Sequence, residues 1–172
     1  MKPIKNIFCL VFLLVSCLIS VVSAARLHVA VASNFLSTIE QLVEPFKLQS
    51  GHELLISSGS TGMLYAQIIQ GAPFDVMMAA DTATPQKLTA AGLANQPFTY
   101  ARGQLMLLAN QSTEDSCLSI LASANLQFLA IANPKVAPYG LAAKQFLQSI
   151  QWWDTHQSQL VMGENVAQAM QM

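Results

Sequence analysis

Charged residues and cysteines are scarce in this chain, and each shortage argues against a class of function. Only 10% of the 172 residues are charged, with eight basic residues against nine acidic ones. The chain therefore has no basic patch of the kind that binds nucleic acid. Of its three cysteines, Cys9 and Cys17 fall in an apolar N-terminal segment. With Cys117 alone in the remainder, we expect neither an intramolecular disulfide nor a cysteine metal site.

Residues 1–24 have the pattern of a secretory signal peptide. Lys2 and Lys5 form a basic start, residues 7–22 are almost wholly apolar, and Ala24 completes a small-residue cleavage pattern. We expect cleavage after Ala24 or one residue later, and export to the periplasm. A lipobox-like sequence at Cys17 makes a lipoprotein the alternative, although the residues after it stay apolar. Loss of the two lysines leaves six basic residues against nine acidic ones, a net charge of −3.

Beyond residue 25, strand-like apolar runs alternate with segments of helical periodicity. Strands are predicted at 27–32, 54–57, 74–80, 98–101, 104–109, 127–132 and 159–162, and helices at 35–47, 61–70, 85–91, 141–150 and 167–172. Pro45 is expected to kink or shorten the first helix. The alternation predicts an α/β fold with parallel sheets. In such sheets, ligands bind beyond the carboxyl ends of the strands.

Four predicted strand-to-helix turns carry small polar residues or exposed backbone. They contain, in order, Ser33 with Asn34, Ser60 with Thr61, Tyr139, and Val166. The first turn of a helix has amides without intrahelical partners and a positive dipole end. Together with hydroxyl donors, such a turn can bind an oxyanion. The competing interpretation of each turn is an ordinary helix cap.

The residues at these turns fit binding better than catalysis. None of the turns carries Lys, Arg or His, so the site would hold an anion through neutral donors and helix dipoles. A serine nucleophile needs a base and an orienting acid, but the three histidines (His28, His52 and His156) lie in other segments and the chain has no Gly-x-Ser-x-Gly motif. Asp75 and Asp81 flank a strand and are interpreted as capping residues. We therefore predict that the protein is not an enzyme.

Six short motifs in a fixed order resemble those of the periplasmic molybdate-binding proteins. They are VASNF at 31–35, SGSTG at 58–62, GAPFDV at 71–76, AD at 80–81, NP at 133–134 with APYG at 137–140, and GENV at 163–166. Each motif alone is common, whereas the ordered combination is specific. The resemblance covers the chain from about residue 27 to its end.

The resemblance implies a two-lobed, type II periplasmic-binding-protein-like α/β fold that closes on molybdate or tungstate. Residues 25–102 would form lobe 1 and residues 103–172 lobe 2. Such proteins deliver their ligand to a membrane ABC permease. The resemblance also implies a monomer without a cofactor, in which molybdenum enters as an oxyanion and has no direct protein ligand.

The family's ligand contacts can be carried over residue by residue. The hydroxyl and amide of the first turn correspond to Ser33, with Asn34 adjoining. The second contact falls at Thr61, and Ser60 is the alternative because a one-residue slip is easy in that run. The two remaining contacts are the backbone amides of Tyr139 and Val166.

Family members continue beyond the position equivalent to Met172. The resemblance therefore implies a C-terminally truncated form, without part of lobe 2 and without a segment that returns to lobe 1. Three alternatives stay open: a binder of another, sulfate-like tetrahedral oxyanion, a sensor of the same fold that does not deliver its ligand, and a fragment.

Overall fold

The computed structural model describes residues 24–109, 117–123 and 126–172. The predicted signal peptide, apart from Ala24, and the alternative lipidation site Cys17 lie outside the described residues. In chain order the elements are β1 (Arg26–Ala32), α1 (Leu36–Ser50), β2 (Glu53–Gly59), α2 (Thr61–Ile69), β3 (Val76–Met78), α3 (Ala83–Ala90), α4 (Cys117–Leu121), β4 (Leu129–Ala132), α5 (Pro138–Ser149), β5 (Leu160–Gly163) and α6 (Val166–Ala169). No helix in the described part is both long and apolar enough to cross a membrane.

The first sheet has the parallel order β2-β1-β3. β1 is central, and its second half is fully buried, as the near-continuous apolar run 27–32 predicts. β1 and β2 pair over seven positions, from Arg26 opposite Glu53 to Ala32 opposite Gly59. Because the two strands end level, the turns that follow them emerge side by side at one edge of the sheet.

Helix α1 packs on this sheet through Ile39, which joins a core cluster with Val29 and Val31. It ends where Gly51 adopts a left-handed conformation with φ of 72° and donates its amide to the Lys47 carbonyl. Pro45 lies inside the helix, which continues to Ser50. The expectation that Pro45 shortens the helix is therefore wrong. Proline removes only one backbone bond, and the helix continues beyond it to its cap at Gly51.

The second sheet contains β4 and β5, which pair in parallel over four positions. A core cluster supports it, and its buried members are Leu121, Ile131, Ala143, Leu147, Trp152 and Trp153. Trp152 is 5% exposed, and its indole Nε1 donates to the Leu121 carbonyl at 2.8 Å. The tryptophan pair thus packs against the second sheet, since Ile131 belongs to β4.

Two predicted strands, 98–101 and 104–109, are absent from the described structure, where residues 93–109 have irregular backbone. Both runs were assigned from apolar composition, but a strand also needs a neighbouring edge to satisfy its backbone groups. Phe98 and Met106 stay 83% and 72% exposed. This irregular segment connects the part of the chain that forms the first sheet to the part that forms the second. The division into lobes at residues 102 and 103 stays a prediction.

Candidate functional site

The four predicted turns meet in a small cleft between the two sheets. All six residues proposed from the sequence lie among its walls. The lining residues are Ala32, Ser33, Asn34, Gly59, Ser60, Thr61, Ala80, Ala137, Pro138, Tyr139 and Val166. The cleft therefore lies beyond the carboxyl ends of strands from both sheets, where ligands of parallel α/β folds bind.

Thr61 is the first residue of α2 and is buried, with 1% of its surface exposed. Its hydroxyl oxygen accepts a hydrogen bond from the Ala80 amide at 3.0 Å. That bond fixes the side-chain rotamer and leaves the hydroxyl hydrogen to be donated elsewhere. Ala80 follows β3, so the segment after the third strand orients a hydroxyl at the start of the helix that follows the second strand.

Ser60 occupies the N-cap position of α2, yet its side chain makes no capping hydrogen bond. The residue is 3% exposed, and its Oγ has no partner among the described residues. A buried hydroxyl without a partner costs about 1–3 kcal/mol. The ordinary cap interpretation therefore fails for Ser60, which lines the cleft and carries a buried hydroxyl.

Ser33 and Asn34 open a 3-10 turn, Ser33–Phe35, between β1 and α1. Ser33 is half-buried and Asn34 is exposed. The residue at the cap of this turn is Ala32, which has no side chain that could satisfy the first amides. The first turn of the chain thus brings a hydroxyl, a side-chain amide and backbone amides to the wall of the cleft.

The second sheet contributes backbone rather than hydroxyl groups. Pro138 is the first residue of α5, its cap is Ala137, and the Tyr139 amide follows in the first turn. The Tyr139 hydroxyl lies against Gly103, so a Cβ added at Gly103 would require the tyrosine side chain to shift. Tyr139 lines the cleft, and its first-turn amide is the donor that we expect it to offer there.

Val166 is the first residue of α6. The Asn165 side chain before it accepts a hydrogen bond from the Gln168 amide at 3.1 Å. Here the ordinary cap interpretation is correct for Asn165. The Asn165 cap satisfies the Gln168 amide and not the Val166 amide. The Val166 amide lies in the first turn of α6, where amides have no acceptor within the helix.

The cleft wall is electrically neutral in its side chains, since none of the described residues that line it is acidic, basic or a histidine. Asp81, which follows Ala80, accepts hydrogen bonds from the amide and the hydroxyl of Thr84 at the start of α3. It therefore acts as the capping residue that the sequence predicts. Any attraction for an anion comes from hydroxyls, amides and helix dipoles.

None of the three histidines lies among the described residues of the cleft wall. His28 is in β1, and its backbone amide donates to Asp75 at 2.8 Å. His52 Nδ1 accepts from the Ala25 amide, and His156 stacks on Trp152. Within the described ranges, no group of three or more His, Cys, Asp or Glu residues could hold a metal ion.

Sequence reasoning missed two contributors to the site. The first is Ala80, whose amide holds the Thr61 hydroxyl. The second is Gly62, whose amide donates to the Val136 carbonyl across the cleft at 2.9 Å. The signal for Ala80 was present, because it is the last residue of the strand-like run 74–80. The contact of Gly62 joins two distant parts of the chain and has no sequence signal.

A wider groove runs along the irregular segment 93–105 and reaches Pro138 and Tyr139. Large side chains such as Phe98 and Leu105 line it together with irregular backbone. It lacks the hydroxyl residues Ser33, Ser60 and Thr61, which line the small cleft. We therefore place the candidate site in the small cleft.

Two parallel α/β units that face each other across a cleft of helix N-termini define the fold of a solute-binding protein. The family model described as bacterial extracellular solute-binding protein matches residues 27–172. The chain belongs to this family. The predictions of a type II solute-binding fold, and of a binding protein rather than an enzyme, are confirmed.

Individual relatives show which members of this family the chain is similar to. The chain is 42% identical over 151 residues to the molybdate-binding protein ModA of Azotobacter vinelandii. The aligned region covers 86% of this chain and 60% of that protein. It is 35% identical over 149 residues to ModA of Rhodobacter capsulatus, with 86% and 59% covered. The solved structure of the Azotobacter vinelandii periplasmic molybdate-binding protein superimposes with a TM-score of 0.79 at 43% identity, over 84% of this chain and 65% of that one.

These matches confirm the resemblance drawn from the six motifs. The chain spans about 60% of the length of the two ModA relatives.

Proposed function

We propose that the protein captures molybdate or tungstate in the periplasm and delivers it to an ABC permease in the membrane. The relatives with the highest identity given above are named for molybdate binding. The cleft supplies what a compact tetrahedral oxyanion needs, which is several donors that converge from different directions. A signal peptide at residues 1–24 would provide export, and the protein would act as a monomer without a cofactor.

The observation that carries this proposal is the Ser60 hydroxyl. It is buried, lies at the N-terminus of α2, and makes neither a capping bond nor any other hydrogen bond within the described residues. An anion in the cleft would accept from it and remove the cost of burying it alone. Thr61 adds a second hydroxyl, which the Ala80 amide already orients.

Neutral donors also suit a protein that must release what it binds. A lysine or arginine in the cleft would form a strong ion pair with a dianion, whereas hydroxyls and amides hold it only when they surround it. The ligand would be selected by size, because molybdate, tungstate and sulfate accept similar hydrogen bonds. Selection against sulfate thus depends on the spacing of the two sides of the cleft.

The test is a titration of the purified protein with molybdate, tungstate and sulfate, followed by thermal unfolding and calorimetry. We expect a rise in Tm with the first two anions that saturates as binding saturates, because a ligand of the folded state stabilises it by linkage. Ser60→Ala should reduce the rise, whereas Ser58→Ala, an exposed serine two residues away, should leave it unchanged.

Three outcomes would change the proposal. A response to sulfate equal to that for molybdate would assign a general tetrahedral oxyanion site. Binding without any loss of molybdate uptake when the gene is deleted would assign a sensor rather than a delivery protein. A cooperative unfolding transition that no anion shifts would overturn the proposed function.

A further inference from the structure

One backbone hydrogen bond connects the two sides of the cleft. The Gly62 amide donates to the Val136 carbonyl at 2.9 Å. Gly62 is the second residue of α2, directly after Thr61, and Val136 directly precedes Ala137 at the cleft wall. The bond therefore joins the loop that carries the hydroxyls to the loop that carries the Tyr139 amide.

The position of Gly62 in its helix makes this bond possible. The first amides of a helix have no acceptor within the helix, so the Gly62 amide is available to a carbonyl from the other half. The Val136 carbonyl precedes α5 and lies in the turn after β4, outside any helical hydrogen-bond ladder. Each group thus satisfies the other without breaking secondary structure.

The approach of the two backbones requires a residue without a side chain. A Cβ at Gly62 would lie 2.8 Å from the Val136 carbonyl oxygen and 3.1 Å from its Cα. The backbone of Gly62 is ordinary, because it is not among the described residues with positive φ. Alanine would be the better helix former here. The glycine is explained by contact across the cleft and not by the conformation of α2.

We propose that Gly62 is a positioning residue that sets the distance between the two sides of the cleft. Its bond to Val136 holds the Ser60 and Thr61 hydroxyls within reach of the same ligand as the Tyr139 amide. The inference rests on the proposed function, because it assumes one ligand shared by both sides. A side chain at position 62 would push the two loops apart and leave each side with only part of the donor set.

The first test compares Gly62→Ala with the wild-type protein by calorimetric titration with molybdate. We expect at least a tenfold loss of affinity, while the Tm of the ligand-free protein falls only slightly, since the higher helix propensity of alanine offsets part of the lost Gly62–Val136 hydrogen bond. Met63→Ala is the matched control: Met63 is the next residue of α2, is 39% exposed and does not line the cleft, so its affinity should equal that of the wild type. Equal affinity for Gly62→Ala would overturn the inference.

The second test does not depend on the ligand. Hydrogen exchange of the Gly62 amide, followed by NMR on the ligand-free protein with labelled glycine, measures the cross-cleft bond directly. We expect clear protection, because no intrahelical acceptor exists for that amide. Exchange at the rate of an unprotected amide would overturn the inference. If the Gly62 amide were protected but the protein bound no anion, the hydrogen bond to Val136 would be supported and the proposed function would be rejected.

Discussion

On the first-sheet side of the cleft the donors are mainly side-chain hydroxyls, whereas on the second-sheet side they are backbone amides. Ser60 and Thr61 are buried at the start of α2. Tyr139 and Val166 contribute amides in the first turns of α5 and α6. A hydroxyl can be deleted by substitution to alanine or valine, but an amide can be deleted only by proline. The two sides therefore need different experiments, although both offer neutral donors.

The two sides also differ in how they are held. β1 and β2 pair over seven positions, whereas β4 and β5 pair over four. The shorter sheet depends on the cluster around Trp152 and Trp153, which lies away from the cleft. The first side is thus positioned mainly by backbone pairing, and the second mainly by side-chain packing.

The largest expected effect is on this packing. Trp152→Ala removes a large buried side chain and its hydrogen bond to the Leu121 carbonyl. We expect a loss of about 3–5 kcal/mol in the free energy of unfolding, measured by urea denaturation. Trp152→Phe keeps most of the volume and should lose far less. A loss below about 1 kcal/mol for Trp152→Ala would contradict the assigned role of the cluster.

Next in size is the deletion of an amide on the second side. Val166→Pro removes one N–H at the first position of α6, where proline is well tolerated. Asn165 before it is already extended, with φ of −151° and ψ of 174°, as a residue before proline requires. We expect molybdate affinity to fall by about 1.5–3 kcal/mol, the value of a hydrogen bond to a charged group.

Val166→Ala keeps the amide and provides the comparison for that proline. Calorimetry should show a much smaller loss of affinity for alanine. Equal losses for the two substitutions would mean that the Val166 side chain, and not its amide, matters for binding.

Deleting either hydroxyl of the first side should weaken binding, but only one deletion should lower the stability of the ligand-free protein. Ser60→Ala and Thr61→Val should each weaken binding by about 1–3 kcal/mol. Ser60→Ala should not destabilise the ligand-free protein, because its Oγ has no partner there among the described residues. Thr61→Val should destabilise it, because the Ala80 amide loses its acceptor.

Thermal unfolding without ligand, run beside the binding titrations, separates these two hydroxyls. Thr61→Ser retains the oxygen and should restore the stability lost in Thr61→Val. If both positions lost stability equally, the contrast between a free and an anchored hydroxyl would be wrong.

The smallest expected effect is that of pH. None of the described residues lining the cleft is acidic, basic or a histidine. Burial, and to a lesser degree Tyr139, raises the pKa of the nearby Tyr100 phenol above its ordinary value of 10.0. Because the folded pKa is raised, the contribution of the neutral phenol to stability is present below pH 10 and is lost only as pH rises through the folded value.

For an anion that stays fully ionised, affinity should therefore vary by less than about twofold between pH 6 and pH 9. Titrations at fixed ionic strength would measure this. A steep change in that window would indicate an ionisable contact with the ligand that the neutral wall does not contain.

Much of the site could be predicted from sequence because its parts are local. A strand-like run followed by small polar residues and a helical stripe predicts a turn with free amides, whatever lies elsewhere in the chain. The pattern predicts the four turns, and the resemblance implies the individual contacts. All six predicted residues, Asn34 included, line the cleft, and their contact with a ligand stays a prediction. The strands expected at 98–101 and 104–109 were wrong because strand formation depends on a partner, which composition does not show.

The sequence by itself determined the alternation of strands and helices and the neutral, donor-rich character of the four turns, because periodicity and turn chemistry act over a few residues. Only the tertiary structure decided that these turns share one cleft. It also decided that the Ser60 hydroxyl is buried without a partner in the described part of the chain, while the Ala80 amide orients Thr61. It alone showed the Gly62 amide reaching the Val136 carbonyl. Those features join residues that are distant in the chain, so they exist only once the two sheets have packed.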